Sequence, residues 1–259
     1  MSQLVWRAPS VTGLGRPFLT ARWDLLVMLN WRVDPDLVAP YVPPGTVPDT
    51  FEGHALVSLV GFRFLETRVR GLRVPMHTDF EEVNLRCYVK REVPRPTGPE
   101  IRRGVSFVKE LVPRSAIAAV ARWAYEEPYE WRPMRHRIES TATGLPTYVE
   151  YSWRSRTMPD RWGRMAVETE GEPSQPREGT EAHFVTDHFW GYTARRDGRT
   201  SEYQVQHAPW RVWTARRALL EADLAELYGA GFAEAMAGTP SSAFLADGSD
   251  VAVLPATRL

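Results

Sequence analysis

The sequence predicts a mainly β or α+β fold built on a strongly curved or barrel-like antiparallel sheet. Two observations carry that expectation. Several segments alternate apolar and polar residues with the period of two of half-buried strands. One of the strand-like segments, His54 to Phe64 (HALVSLVGFRF), is apolar on both alternating faces, as a strand covered on both sides is. A sheet that curves round on itself is a natural way to bury such two-sided strands.

In chain order, Asp34-Pro35 sets a capping residue before a proline at the first helical position, so a short helix is expected from Asp34 to about Tyr41, stopped by Pro43-Pro44. The segment His54 to Phe64 belongs deep in the core. In Phe80 to Lys90, Val83, Leu85, Cys87 and Val89 face one way; Glu82, Asn84, Arg86 and Tyr88 face the other, towards water or a polar cavity. Gly104 to Val112 (GVSFVKELV) reads as a further strand with Val105, Phe107, Lys109 and Leu111 on one face. Ser115 to about Tyr125 reads as a helix on the stripe Ile117, Val120, Ala121 and Ala124.

Glu181 to Thr193 and Ser201 to Trp213 are expected to form a hairpin through a two-residue turn at Asp197-Gly198. That register sets His188 opposite His207, Trp190 opposite Val205 and Tyr192 opposite Tyr203, which gathers imidazole, indole and phenol rings on one face. Glu221 to about Met236 reads as a helix ended by Gly238, and Ala243 to Val253 as a last hairpin turning at Asp247-Gly248-Ser249.

Composition narrows the function classes. The 259 residues carry 32 Lys plus Arg and 32 Asp plus Glu, so no long-range field steers the chain to nucleic acid or an anionic membrane. No apolar run approaches the roughly 20 residues that span a bilayer, and the single Cys87 sits among apolar neighbours. The chain is therefore read as cytoplasmic, with Cys87 a core residue. G-x-S-x-G, Walker, G-x-G-x-x-G, H-E-x-x-H and paired C-x-x-C motifs are absent, and no cofactor is expected.

Lys90 and Lys109 are the two lysines of the chain. On an apolar strand face, the Lys109 amine is either a desolvated nucleophile suited to Schiff-base chemistry or a side chain that snorkels or pairs with a carboxylate. Arg86 can hold a small carboxylate in bidentate fashion, and Glu82 and Asn84 share its face. His188 and His207 lack the third and fourth ligands that a metal needs, because Asp187 points away, so no metal is expected.

FLTARW (Phe18 to Trp23), VSLVGF (Val57 to Phe62), FEEVNLRCYV (Phe80 to Val89), GVSFVKELVPR (Gly104 to Arg114), HFWGYT (His188 to Thr193) and QHAPWRVW (Gln206 to Trp213) together resemble the YqjF-like family of uncharacterised proteins. The resemblance runs in order from about Phe18 to Val253. It implies a fold similar to acetoacetate decarboxylase, one domain over residues 1–259 in which a curved antiparallel sheet forms a cone or barrel around a buried ligand cavity. In those decarboxylases a cavity lysine forms a Schiff base with a β-keto acid and a neighbouring cation lowers its pKa. Lys109 lies on a strand that could correspond. However, Val108-Lys109-Glu110 stands where the decarboxylases have two adjacent lysines, and an anion beside the amine raises its pKa.

The expected site is a cavity lined by Glu82, Asn84, Arg86, Lys109, His188, Trp190, Tyr192 and His207, taking a small carboxylate or carbonyl compound, with Lys109 as the candidate catalytic residue. The competing expectation is a noncatalytic scaffold or partner-binding protein with Trp153 and Trp162 on its contact surface; a structure with no pocket above ~300 Å³ favours it. A homo-oligomer is compatible with either.

Overall fold

The computed structural model describes residues 16–73, 75–113 and 127–259, so the helix expected over Ser115 to Tyr125 lies outside the described residues. Its strands are β1 (Leu19–Val33), β2 (Val47–Pro48), β3 (Ala55–Val69), β4 (Leu72–Arg73), β5 (Phe80–Val93), β6 (Glu100–Val112), β7 (Tyr129–Trp131) and β8 (Met134–Ser140). They continue with β9 (Pro146–Arg154), β10 (Trp162–Glu168), β11 (Trp190–Ala194), β12 (Thr200–His207), β13 (Val212–Thr214), β14 (Arg217–Glu221), β15 (Ser242–Val253) and β16 (Thr257–Arg258).

Strands β15, β1, β3, β5, β6, β11 and β12 are hydrogen-bonded in that order, and β12 pairs with β15, so seven strands close into a ring. Contacts around the ring are antiparallel except β6 with β11, which run parallel. The expected curved antiparallel sheet is thus present with one parallel seam. A second sheet, in the order β14-β10-β9-β8, covers one outer side.

This arrangement explains why the central strands read as apolar on both faces. Val57 and Leu59 of β3 and Val83, Leu85 and Cys87 of β5 point outward and pack with Val149, Tyr151, Trp153, Met165 and Val167 of the second sheet. Leu56, Val60, Phe62 and Phe64 of β3 and Phe80 and Tyr88 of β5 point into the ring. Trp153, expected on a contact surface, is instead buried between the sheets. Trp162 is partly buried beneath the Arg135 guanidinium, 4.2 Å from its ring centre.

Helix α1 (Pro35–Val38) starts as expected, with the Asp34 carboxylate accepting from the Asp36 amide at 2.9 Å, and continues as a 3-10 turn over Ala39–Tyr41. Other elements depart from expectation. Glu181–Thr186 forms a helix, α2, because the Thr180 hydroxyl caps the His183 amide at 3.2 Å, so the first hairpin strand begins at Trp190. The helix expected over Glu221 to Met236 is broken at Gly229 into α3 (Leu224–Tyr228) and α4 (Ala230–Ala235). Residues Ser242–Val253 run as one unbroken strand in register with β1, with Gly248 opposite Asp24, so Asp247-Gly248-Ser249 is no turn. Among the described residues, no helix is long and apolar enough to cross a membrane.

Candidate site in the ring interior

The ring encloses a cavity of about 190 Å³. β5 supplies its polar row: alternation along the strand turns Glu82, Asn84 and Arg86 inward, as the sequence pattern predicts. Glu110 from β6, Glu127 and Tyr129 from the segment entering β7, and Tyr203 and His207 from β12 complete the polar lining. Trp23, Phe62, Phe64 and Phe107 supply apolar wall. The volume equals that of about six water molecules in the liquid and lies below the ~300 Å³ from which drug-sized ligands are held. A second, more open depression on the face of the second sheet, lined by Arg137, Glu139, Tyr148 and Arg164, reaches about 340 Å³, so size alone does not favour the scaffold reading. Nor does the lining.

Glu82, Glu110 and Glu127 are 3%, 1% and 4% exposed, which takes three carboxyl groups out of water together. Among the described residues none of the three makes an ion pair with a cation. Asn84 Nδ2 donates to Glu82 Oε1 at 2.9 Å, the Tyr129 hydroxyl hydrogen-bonds both Glu82 and Glu110, and the Tyr203 hydroxyl donates to Glu127. Burial raises the pKa of all three; the neighbouring carboxyl charges raise Glu82 and Glu110 further. Glu82 is pushed up to about 8 and Glu127 to about 7, so the cluster retains protons near neutral pH.

The other end of the β5 row is basic. Arg86 is 8% exposed, its Nη2 makes a 3.5 Å contact to the Val185 carbonyl, and its guanidinium lies 5.6 Å from the Tyr88 ring centre. Among the described residues Arg86 makes no ion pair. His188 is clamped by Asp49, whose Oδ2 lies 3.1 Å from Nε2; Asp49 also takes Arg103 at 2.7 Å and Lys90 at 3.3 Å. Burial works to raise the Asp49 pKa, but the His188 and Arg103 hydrogen bonds hold it below the usual carboxylate range. An ionised Asp49 accepts a hydrogen bond from Nε2–H, which fixes His188 as the tautomer whose Nδ1 carries a lone pair. Burial also lowers the His188 pKa and takes His207 down to about 4. His207 stacks on Trp210 at 4.2 Å and donates from Nδ1 to the Ala208 carbonyl at 2.9 Å.

Lys109 lies outside the cavity. A β-bulge is the cause: Leu85 pairs with Lys109 but Arg86 pairs with Phe107, which leaves Val108 as an extra residue on β6. Beyond the bulge the faces exchange, so Glu110 turns inward beside Asn84 and Lys109 turns outward to meet Glu130 at 3.2 Å. Of the two readings of this lysine, the geometry matches the carboxylate-paired one. It gives the Schiff-base role no support.

The hairpin is one residue out of the expected register. Arg195 N donates to the Arg199 carbonyl at 2.8 Å and Gly198 N to the Arg195 carbonyl at 3.1 Å, so the loop holds three residues, with Gly198 at φ 79°. Tyr192 therefore pairs with Glu202 and Tyr203 with Gly191. Tyr192 packs away from the cavity, its hydroxyl donating to the Arg102 carbonyl at 3.3 Å, and Tyr203 takes the cavity wall instead. Gly191 is required there, because a Cβ would lie 2.1 Å from the Tyr203 ring. Trp190 borders the cavity with the Arg102 guanidinium 4.1 Å from its ring centre. His188 and His207 are not a cross-strand pair: His188 precedes β11, and His207 pairs with Val251.

Asn84 Oδ1, Arg86 Nε, Glu110 Oε2 and His188 Nδ1 are buried without a hydrogen-bond partner, and all four belong to residues lining the cavity. Each such atom costs about 1–3 kcal/mol unless something completes it. Among the described residues no group of three or more His, Cys, Asp or Glu side chains is set to hold a metal ion. The sequence pattern did not reveal Glu110, Glu127, Tyr129 or Tyr203: the bulge hid the first, the register hid the last, and Glu127 and Tyr129 sit in the acidic run Glu126-Glu127-Pro128-Tyr129-Glu130, which has the composition of a solvated turn.

Comparison with known proteins agrees with the ring. Solved structures of similar fold include an acetoacetate decarboxylase from Legionella pneumophila (TM-score 0.61, 13% identity, 97% of this chain and 93% of that one). An acetoacetate decarboxylase-like enzyme from Sphingomonas wittichii RW1 superposes with TM-score 0.60 at 14% identity over 98% of both chains. The enduracididine biosynthesis enzyme MppR in complex with pyruvate gives 0.58 at 14% identity, over 100% of this chain and 98% of that one. At these identities the likeness is one of fold. The uncharacterized protein YqjF of Bacillus subtilis (strain 168) is 23% identical over 194 residues, 74% of each chain. The sequence profile of DUF2071, a family of uncharacterized conserved proteins, matches residues 20–250, and the chain belongs to that family.

Proposed function

We propose that the ring cavity binds a small carboxylate or carbonyl compound and that its glutamates exchange protons with it, in chemistry that does not pass through a lysine imine. The observation carrying this reading is the cluster of Glu82, Glu110 and Glu127 on the wall of the ring cavity, beside Arg86 and Asn84, with polar atoms left uncompleted. A scaffold gains nothing from sequestering a guanidinium, which costs several kcal/mol to desolvate, beside three carboxyls that are taken out of water and pushed towards their protonated form. A carboxylic acid held protonated can donate to a carbonyl oxygen, and its conjugate base can take a proton from the adjacent carbon. Pyruvate bound to MppR shows that a neighbour of this fold accommodates a ligand of the size this cavity allows. Neither Lys90 nor Lys109 lines the cavity, which leaves an imine without an amine.

The test is proton exchange. Pyruvate, acetoacetate, 2-oxobutanoate and 4-oxopentanoate are incubated with the protein in D2O and followed by proton NMR. Protein-dependent loss of signal from protons beside a carbonyl, abolished in Glu110→Gln, is the expected result. Thermal stability and exchange rates unaffected by every compound would overturn the reading, and a borohydride-trapped adduct on Lys109 would replace it with imine chemistry.

A further inference from the structure

Resting on that reading of the cavity, we infer that its ligand is bifunctional: a carboxylate held at Arg86 and, at the far end of a short apolar chain, a hydroxyl or ammonium group held by Glu82, Glu110 and Glu127. Residues on one face of a strand are spaced two apart at ~3.4 Å per residue, so Glu82 and Arg86, four residues apart, have Cα atoms ~13 Å apart along the cavity wall, with Asn84 midway. Opposite-sign groups are thus mounted on one row: the Arg86 charge is felt at Glu82, where it works to lower the carboxyl pKa, but the two form no ion pair.

Each end lacks its complement. Arg86 is a buried guanidinium that, among the described residues, pairs with no carboxylate, and its Nε has no acceptor. Asp49, the carboxylate that clamps His188, is already shared with Arg103 and Lys90. A buried cation without a counter-charge is unstable unless an anion is supplied, and a guanidinium fits a carboxylate through two parallel hydrogen bonds. At the other end Glu110 Oε2 has no donor, and the hydroxyls of Tyr129 and Tyr203 are engaged with the carboxyls themselves. A hydroxyl can donate to Glu110 Oε2 or accept from a protonated carboxyl, and an ammonium can displace a proton from the cluster; a second carboxylate is repelled as soon as one of the carboxyls is ionised.

The middle of the cavity fixes the body of the ligand. Asn84 and Glu110 face each other across β5 and β6, and Phe62 and Phe107 flank the row as the strand neighbours of Glu82 and Arg86. A chain of about five carbons with a polar group at each end suits a cavity of about 190 Å³.

The experiment uses the full chain and a matched five-carbon panel in isothermal titration calorimetry at neutral pH: pentanoate, 5-hydroxypentanoate, 5-aminopentanoate, glutarate and pentylamine. The expected order places 5-aminopentanoate and 5-hydroxypentanoate about tenfold or more tighter than pentanoate, with glutarate and pentylamine weakest. Glu82→Gln is expected to narrow the advantage of the amino acid over pentanoate, and Arg86→Gln to weaken every carboxylate about tenfold or more; circular dichroism establishes that each variant is folded. Equal affinity for all the carboxylates would overturn the bifunctional ligand while leaving the carboxylate cavity in place. No binding here, together with none to the oxo acids above, would overturn both. The wild-type panel decides the matter even if a variant does not fold.

Discussion

Replacing Glu82 by glutamine tests whether the carboxyl cluster is held protonated. Burial lifts the Glu82 pKa, the Asn84 hydrogen bond opposes it and the Glu127 charge adds to it, taking it from 4.5 to about 8. Between those values the folded chain binds a proton that the unfolded chain has released. The stability this group contributes is therefore full below pH 4.5 and is lost as the pH climbs towards 8. The imidazoles work in the opposite sense: His207, lowered from 6.5 to about 4 chiefly by burial, adds stability as the pH rises to 6.5 and nothing further above it. The interval from pH 6.5 to 8 thus isolates the carboxyls. At roughly 1.4 kcal/mol per pH unit, Glu82 accounts for about 2 kcal/mol across it. Urea denaturation of wild type and Glu82→Gln at several pH values in that interval should show the variant losing about 2 kcal/mol less, equivalent to about 4–8 °C in Tm. Glutamine retains an oxygen for Asn84, so the local hydrogen bond survives the change. Two stability curves running parallel from pH 6.5 to 8 would mean that Glu82 is ionised throughout, and the account of the cluster would be wrong.

Three further outcomes follow from the geometry. Tyr203→Phe deletes the donor to Glu127 and leaves a buried oxygen with one weak partner, so denaturant unfolding should register a loss of about 1–3 kcal/mol, with weaker binding of any cavity ligand. Lys109→Ala removes an ion pair that is partly open to water and should change stability by no more than about 1 kcal/mol, with oxo-acid-dependent proton exchange intact; loss of exchange would return Lys109 to the site. Trp153→Ala empties the space between the ring and the second sheet and should cost about 3–5 kcal/mol by the same unfolding assay, whereas a surface tryptophan would cost little.

The parts of the site that were legible in the sequence are those where the period of two runs undisturbed. FEEVNLRCYV alternates cleanly, and Glu82, Asn84 and Arg86 share the cavity face for that reason. What stayed hidden depends on single-residue irregularities. The bulge at Val108 exchanges Lys109 for Glu110, and three loop residues instead of two at Asp197-Gly198 exchange Tyr192 for Tyr203. A one-residue slip inverts every later side chain on a strand, so small local departures decide the chemistry of the cavity while leaving the fold untouched. The helix follows the same pattern: Glu221 to Met236 reads as one helix ended by Gly238, but at Gly229 φ is 86° and the chain turns.

The closure of the ring by β15 has a consequence for how the chain acquires its structure. β1 cannot complete its pairing until a strand more than 200 residues further on arrives: the Asn30 amide bonds Ser242 across a separation of 212 positions. β12 waits for the same strand. Pairings of such range form late and slowly, because the entropy of closing the intervening loop is lost before the contact rewards it. During synthesis β1, β3, β5 and β6 can assemble as an open ribbon whose two edges stay exposed, with the glutamates and Arg86 still in water. Desolvation of those charges then coincides with the final strand joining on both sides at once. A chain halted before Ser242 is expected to present two unpaired edges and an apolar inner face, the combination that recruits chaperones or aggregates, and a ligand that complements the buried charges should act on this last step of folding as well as on the finished protein.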